Sequence, residues 1–296
     1  MPGFVSAAEL AALGCAFVWA LNGLILRTQS HLVSPAAMNC IRCGVAGLML
    51  WMAVPFVAPP IADLALVPWQ DWALLFIGCA LGIALGDTLY LGGIKEIGVS
   101  RTMALTGTFP LTTLLWESAL LGEPMTLALV LGSVLVVAGV TLLSGLGEKE
   151  EDAQDMRLRY GVFLALAASV LWGLSSTLLK PATSHLDTTH ANAVRMPLIA
   201  LLVYFFRILP SGNESLRGIS WRSFVIVGLT GGLGMGLGAN LFLYAITQST
   251  VGKVAVLTSI SPVFGMAMAM VFLKEQVTWQ VVAGMGLCLA GVWVVI

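Results

Sequence analysis

Apolar residues in this chain run in blocks of about 20, the length at which an α-helix crosses the hydrocarbon core of a bilayer. Lipid offers no water to backbone N–H and C=O groups, so a spanning segment must satisfy them within its own helix. That pattern removes most alternatives. Only 10% of residues are charged and 58% are hydrophobic, against about 25% charged in an ordinary soluble domain. With a formal net charge of −1 there is no basic field for nucleic acid and no acidic tail. A soluble enzyme, a disordered chain and a secreted disulfide scaffold are excluded. The fold class expected is an all-α, multi-pass integral membrane protein whose first partner is the lipid bilayer.

With Pro, Gly and charge as punctuation, ten spans are predicted, at about 7–27, 34–56, 71–93, 99–121, 125–146, 159–180, 187–209, 221–244, 250–272 and 277–296. The first positive charge, Arg27, follows the first block, which therefore reads as a retained span and not as a signal peptide. All five cysteines (Cys15, Cys40, Cys43, Cys79, Cys288) lie inside apolar blocks and are expected as free thiols. The charged stretch 147–158 is expected to be a solvated linker between a first repeat, 1–146, and a second, 159–296.

The two halves are copies of one pattern. Shifting by 152 residues carries Trp69 onto Trp221, Gly82 onto Gly234, Gly86 onto Gly238, Pro110 onto Pro262, Glu123 onto Glu275, Gly132 onto Gly284 and Gly139 onto Gly291. A shift of 153 carries Trp19 onto Trp172, Asn39 onto Asn192 and Arg42 onto Arg195. Chance apolar similarity would not align Trp, Pro, Arg and Glu together. Five spans per copy is an odd number, so the second copy enters the membrane from the opposite face. That is an inverted repeat, an architecture of many secondary transporters, and it makes alternating access natural: exchanging the conformations of the halves turns one opening into the other.

At these positions the halves resemble two EamA domains of the drug/metabolite transporter superfamily, over nearly the whole chain. The resemblance rests on Trp19, Arg42, Gly86-Asp87-Thr88-Leu89-Tyr90 and the stretch from Pro110 to Leu121-Gly122-Glu123, repeated as Trp172, Arg195, Pro262 and Leu273-Lys274-Glu275. It implies ten helices around a central cavity, movement of small metabolites, often export of amino acids, and a place in a bacterial inner (cytoplasmic) membrane. No cofactor is implied.

Orientation is read two ways. The face holding the loops after spans 1, 3, 5, 7 and 9, here face A, carries ten Lys and Arg residues, while the opposite face B has Lys180 and Lys253. The positive-inside rule then puts face A in the cytoplasm, whereas the resemblance implies cytoplasmic termini, which lie on face B.

Four ionisable residues fall inside spans: Arg42, Asp87, Glu117 and Arg195. Each costs about 2.5–3.5 kcal/mol on insertion scales if left unpaired in lipid, so all are expected to face the interior. At about 1.5 Å per residue, Arg42 and Asp87 lie roughly 12 and 15 Å from face A, and Arg195 and Glu117 roughly 12 and 9 Å from face B. The depths suggest that Arg42 reaches Asp87 and Arg195 reaches Glu117. Asp87 and Glu117 map onto Ala239 and Ala269 in the other copy, which marks them for substrate or coupling-ion binding. The arginines are expected to be structural or gating residues.

Uncharged groups at similar depth complete the candidate site: Asn22, Thr106, Ser175, Asn240, Tyr244 and Ser259 as donors and acceptors, with Tyr90 and Trp116 as aromatic wall beside Trp19 and Trp172. Pro110 and Pro262 interrupt spans 4 and 9 and are expected to release a backbone carbonyl there. Trp69, Trp72, Trp221 and Trp279 read as interfacial anchors. Gly78-Gly82-Gly86 and Gly228-Gly232-Gly236 form small-residue ridges for close helix packing. The formal dinucleotide fingerprint in 231–239 lacks the strand and βαβ unit it needs.

The function expected is secondary transport of a small polar or amphipathic metabolite, an amino acid or similar, outward by alternating access. The alternatives are a small-cation or drug efflux carrier coupled to protons through the membrane carboxylates, and a non-transport sensor or channel. An enzyme is not expected, because no HExxH or GxSxG occurs and His31, His185 and His190 lie at or near loops. Oligomeric state is not legible.

Overall fold

A computed structural model describes residues 6–29, 32–143, 155–210, 216–272 and 278–296. They form helices and no strand: α1 (Ala7–Arg27), α2 (Pro35–Val57), α3 (Trp69–Cys79), α4 (Asp87–Thr106), α5 (Phe109–Leu121), α6 (Leu127–Leu143), α7 (Asp155–Ala182), α8 (Thr188–Val203), α9 (Trp221–Thr230), α10 (Ala239–Gln248), α11 (Val251–Thr258), α12 (Ser261–Phe272) and α13 (Trp279–Val295). Among the described residues, 7 helical segments are long and apolar enough to cross a membrane, and α6 and α13 are shorter apolar helices. Start signals sit where sequence chemistry asks for them. Ser6 and Glu9 form a capping box on α1, and Ser34, Ser220, Thr250 and Thr278 cap α2, α9, α11 and α13.

α7 begins at Asp155, inside the stretch expected as linker, and residues 147–154 lie outside the described region. The helical run Asp87–Thr106 is not straight. A Cβ built on Gly93 would lie 3.1 Å from Thr102 Cγ2, whereas nine residues of uninterrupted α-helix span roughly 13 Å. The chain therefore doubles back between them, and both arms rest on α7, where Gly92 meets Leu164 and Gly161 meets Ile97.

Lipid tails are as apolar as leucine, so these helices are held by close fit and not by the hydrophobic effect. The buried core accordingly contains many small residues, among them Ala12, Cys15, Ala16, Ala191, Ala193 and Ala245. All five cysteines are free thiols. Large apolar side chains such as Phe56, Leu127 and Trp293 point outward, and Trp69, Trp221 and Trp279 are exposed at the first turns of their helices.

The relation between the copies is visible in two helix pairs. A Cβ on Gly132 would sit 2.8 Å from the Gly291 carbonyl oxygen, and one on Gly139 2.6 Å from that of Gly284. Gly132 and Gly139 are the repeat counterparts of Gly284 and Gly291, so equivalent helices α6 and α13 meet antiparallel, each glycine against the other's partner. α2 and α8 do the same, with Gly47 against Pro197 and Gly44 against Ala200. Antiparallel contact between equivalent helices places a pseudo-two-fold axis across the bundle, as an inverted repeat requires.

Candidate functional site

Two wide turns aim the site. Ala80–Gly86 and its counterpart Gly231–Gly238 are π-helical, a rare geometry that occurs often at functional sites. The Asp87 N–H reaches back to Gly82 O and the Ala239 N–H to Gly234 O. The run that mimics a dinucleotide fingerprint is thus one of these turns. The first expected ridge packs on α7 through Gly78, Gly82 and Gly86. In the second half, Gly228 and Gly232 face Val45 and Met49 of α2, while Gly234 and Gly238 take Asn22 and Trp19.

The other copy's side chains hold each turn. Ser175 Oγ donates to Gly78 O at 2.7 Å, and the Asn22 amide nitrogen donates to Thr230 O at 2.8 Å. Gly78 and Thr230 are repeat counterparts, as are Ser175 and Asn22. Trp172 lies over Gly86 and Trp19 over Gly238 in matching fashion. Beyond that the halves diverge. Trp172 Nε1 donates to Asp87 Oδ1 at 2.8 Å, and the Tyr90 ring packs 5.3 Å from that of Trp172. Trp19 donates to Gly234 O at 3.1 Å instead, and the residue equivalent to Asp87 is Ala239.

Arg42 Nη2 donates to the Asn22 amide oxygen at 2.8 Å. Arg195 is buried near Cys79 and Cys43. Glu117 lies elsewhere: only 2% exposed, it accepts from the Val251 N–H at 2.5 Å and the Gly252 N–H at 2.6 Å, binding the N-terminus of α11. Its cationic neighbour is Lys180, with Nζ 3.9 Å away, in place of the expected Arg195. Two N–H donors and a helix N-terminus satisfy the hydrogen-bonding demand of a buried carboxylate.

Asp87 opens into a cleft between the start of α2, the wide turn before α4 and the end of α8. Its polar lining is Asn39, Asp87, Thr88 and Arg207, and Ile83 and Phe206 supply apolar wall. Arg207 Nη1 donates to Thr88 Oγ1 at 3.0 Å. At the repeat-related position the same elements are sealed. Asn192 Nδ2 donates to Asn240 Oδ1 at 2.6 Å, and Asn192 is 0% exposed. Val54, the counterpart of Arg207, is 1% exposed, and Ala239, that of Asp87, is 3% exposed.

The remaining expected residues are spread through the bundle. Thr106 Oγ1 donates to Thr102 O in its own helix, and Trp116 Nε1 donates to Val170 O, tying α5 to α7. Tyr244 is exposed, and Ser259 lies in the turn between α11 and α12. Pro110 sits in the first turn of α5 and Pro262 in that of α12, where a helix tolerates a missing N–H. The break before Pro110 is pinned to α7 by Thr108 Oγ1 and Thr112 Oγ1 on Ser169.

Sequence reasoning did not single out the charged contacts that gather on face B. Glu9 pairs with Lys253, joining α1 to α11. Lys180 donates to Ser249 O at 2.9 Å and lies 3.8 Å from Glu123. Asp71 Oδ2 meets His185 Nδ1 at 3.0 Å. The repeat itself carried a signal, since Glu9, Asp71 and Glu117 map onto Val162, Ser223 and Ala269. Glu275, the repeat counterpart of Glu123, lies outside the described residues.

Apolar helices arranged as two antiparallel-related copies, with a polar cleft at one of two equivalent positions, define a membrane protein of the inverted-repeat transporter class. The chain belongs to the EamA-like transporter family, which matches residues 6–145 and 159–296. An "Uncharacterized transporter" of Archaeoglobus fulgidus is 28% identical over 93% of this chain and 92% of its own. A "Probable amino-acid metabolite efflux pump" of Salmonella typhimurium is 25% identical over 96% of this chain and 92% of its own. A solved crystal structure with 18% identity superposes at a TM-score of 0.85, covering 98% of this chain and 96% of that one, and shows the shared fold.

Proposed function

We propose that this protein is a ten-span secondary transporter that moves a small polar or amphipathic metabolite, an amino acid or similar, outward by alternating access. One observation carries the reading: positions equated by the repeat are open at Asn39, Asp87 and Arg207 and sealed at Asn192, Ala239 and Val54. Exchanging the two arrangements would close the cleft on face A and open its counterpart on face B, with the glycine contacts of α6 and α13 as the fixed seam. The amino-acid metabolite named for the Salmonella relative supports the substrate class. Asp87 in the cleft supports a second reading, a cation or proton-coupled efflux carrier.

Counterflow tests the proposal. Proteoliposomes preloaded with an unlabelled amino-acid mixture should take up labelled amino acids saturably, and faster than empty proteoliposomes do. Uptake that is linear in concentration and indifferent to preloading would indicate a channel, and uptake no faster than in protein-free vesicles would overturn transport of this class. Asp87→Asn should lower counterflow at least tenfold.

A further inference from the structure

The repeat keeps an arginine in both copies, but the two are held differently. Arg42 Nη2 donates to the Asn22 amide oxygen at 2.8 Å. The counterpart of Asn22 is Ser175, whose hydroxyl donates to Gly78 O, so Arg195 has no amide oxygen to match. The second copy also has Ala239 where the first has the carboxylate of Asp87. Among the described residues no hydrogen bond or ion pair engages Arg195, and its Nε is buried without an acceptor. The helices differ as well. Pro197 takes one N–H out of the middle of α8, and Tyr204–Ile208 continues it as a π turn, whereas α2 stays α-helical to Val57. Equivalence of position in the repeat therefore does not bring equivalence of partner.

A guanidinium stays protonated in a protein, and a charge taken out of water needs an opposite charge close by. Arg195 is 6% exposed, and Cys43, Cys79, Ala193 and Met196 pack into one buried apolar cluster on the same helix pair. So enclosed a charge calls for a compact counter-ion. A second donor stands beside it. Asn192 precedes Arg195 by three residues, on the same face of α8. Its Oδ1 is buried without a partner while its Nδ2 is spent on Asn240. Turning both amides end for end keeps the bond between them and presents Asn192 Nδ2 in place of the unpartnered oxygen.

We infer that Arg195 is the seat of a small inorganic anion of halide size, held by the guanidinium and the Asn192 amide. Arg195 does not line the face A cleft, so the ion is separate from whatever that cleft carries. Purified full-length protein is unfolded thermally while bulky sodium gluconate is exchanged for sodium bromide at constant ionic strength. The wild-type midpoint should rise and saturate, since a ligand that binds only the folded state stabilises it. Arg195→Gln should abolish the rise, and Arg195→Lys should move half-saturation to at least tenfold higher bromide. Arg222→Gln, at an exposed arginine, should leave half-saturation within twofold. Asn192→Asp sets a carboxylate one turn from the guanidinium, and should remove the bromide dependence while the protein stays folded in gluconate. Crystals grown in bromide should show its anomalous signal beside Arg195. Bromide at the surface alone would be an adventitious ion only and would overturn the inference. A wild-type midpoint indifferent to bromide, or an equal rise in Arg195→Gln, would do the same. In a last arm formate replaces bromide: stabilisation by formate and not by bromide would make Arg195 a seat for an organic carboxylate and refute the inorganic ion. None of these readouts depends on transport, so this inference and the proposed function fail separately.

Discussion

The open cleft on face A and its sealed counterpart on face B are built from equivalent pieces of chain, yet they differ in what fills them. On face A the polar groups line an open cleft. On face B the equivalent asparagine bonds to Asn240, and among the described residues that face also holds Glu9 with Lys253, Glu117 on the N-terminus of α11, Lys180 between Glu117, Glu123 and Ser249, and Asp71 with His185, whose acidic members Glu9, Asp71 and Glu117 map onto Val162, Ser223 and Ala269 in the other copy. Under the proposed alternating access, the duplicated scaffold supplies two openings, and unrepeated charges choose which is closed.

The largest effect expected from this contrast is in accessibility. In a background with the native cysteines replaced, Asn39→Cys should react with a membrane-impermeant maleimide at least tenfold faster than Asn192→Cys. Equal rates would dissolve the contrast. Next comes the lock itself. Hydrogen bonds to a charged group contribute about 1.5–3 kcal/mol, and about 1.4 kcal/mol is a tenfold change in an equilibrium. Glu117→Gln, which keeps one acceptor, should therefore raise labelling of Asn192→Cys severalfold, whereas Glu123→Gln, on the half-exposed side of Lys180, should change it less. Glu117→Gln should also lower the midpoint of thermal unfolding by several degrees, read on purified protein. The smallest effect belongs to His185→Gln. Its ring is 63% exposed, and exposed ion pairs contribute about 0–1 kcal/mol. Labelling and thermal midpoint should both stay close to wild type. A large shift would mean that the Asp71 contact holds face B closed by itself.

Much of the fold was legible because its rules are local: block length gives spans, and duplicated Trp, Arg, Gly and Pro positions give two copies in opposed orientation. Asp87 was legible from its depth and its missing counterpart. Glu117 met the same two tests and turned out to be a cap, because the amides that claim it lie 134 and 135 residues further along the chain. No nearby residue announces that demand. Arg207 read as one more charge at the end of a span, since nothing in Tyr-Phe-Phe-Arg-Ile marks a π turn. The second glycine ridge was misjudged in register: Gly228 and Gly232 face α2, while the glycines that meet α1 are Gly234 and Gly238, the repeat counterparts of Gly82 and Gly86.

The seam between α6 and α13 bears on how direction arises. Each of its glycines meets the counterpart of its own partner, so interchanging the halves leaves the joint unchanged. A joint with that property is a balanced fulcrum, with no pose of its own to favour. In the proposed exchange of poses, bias, and hence the order in which cargo is loaded and released, has to be written in the few side chains that break the symmetry around it. Net flux would still follow the gradients on either side, since a passive rocker has no supply of work. What those side chains set is the pose in which the rocker waits.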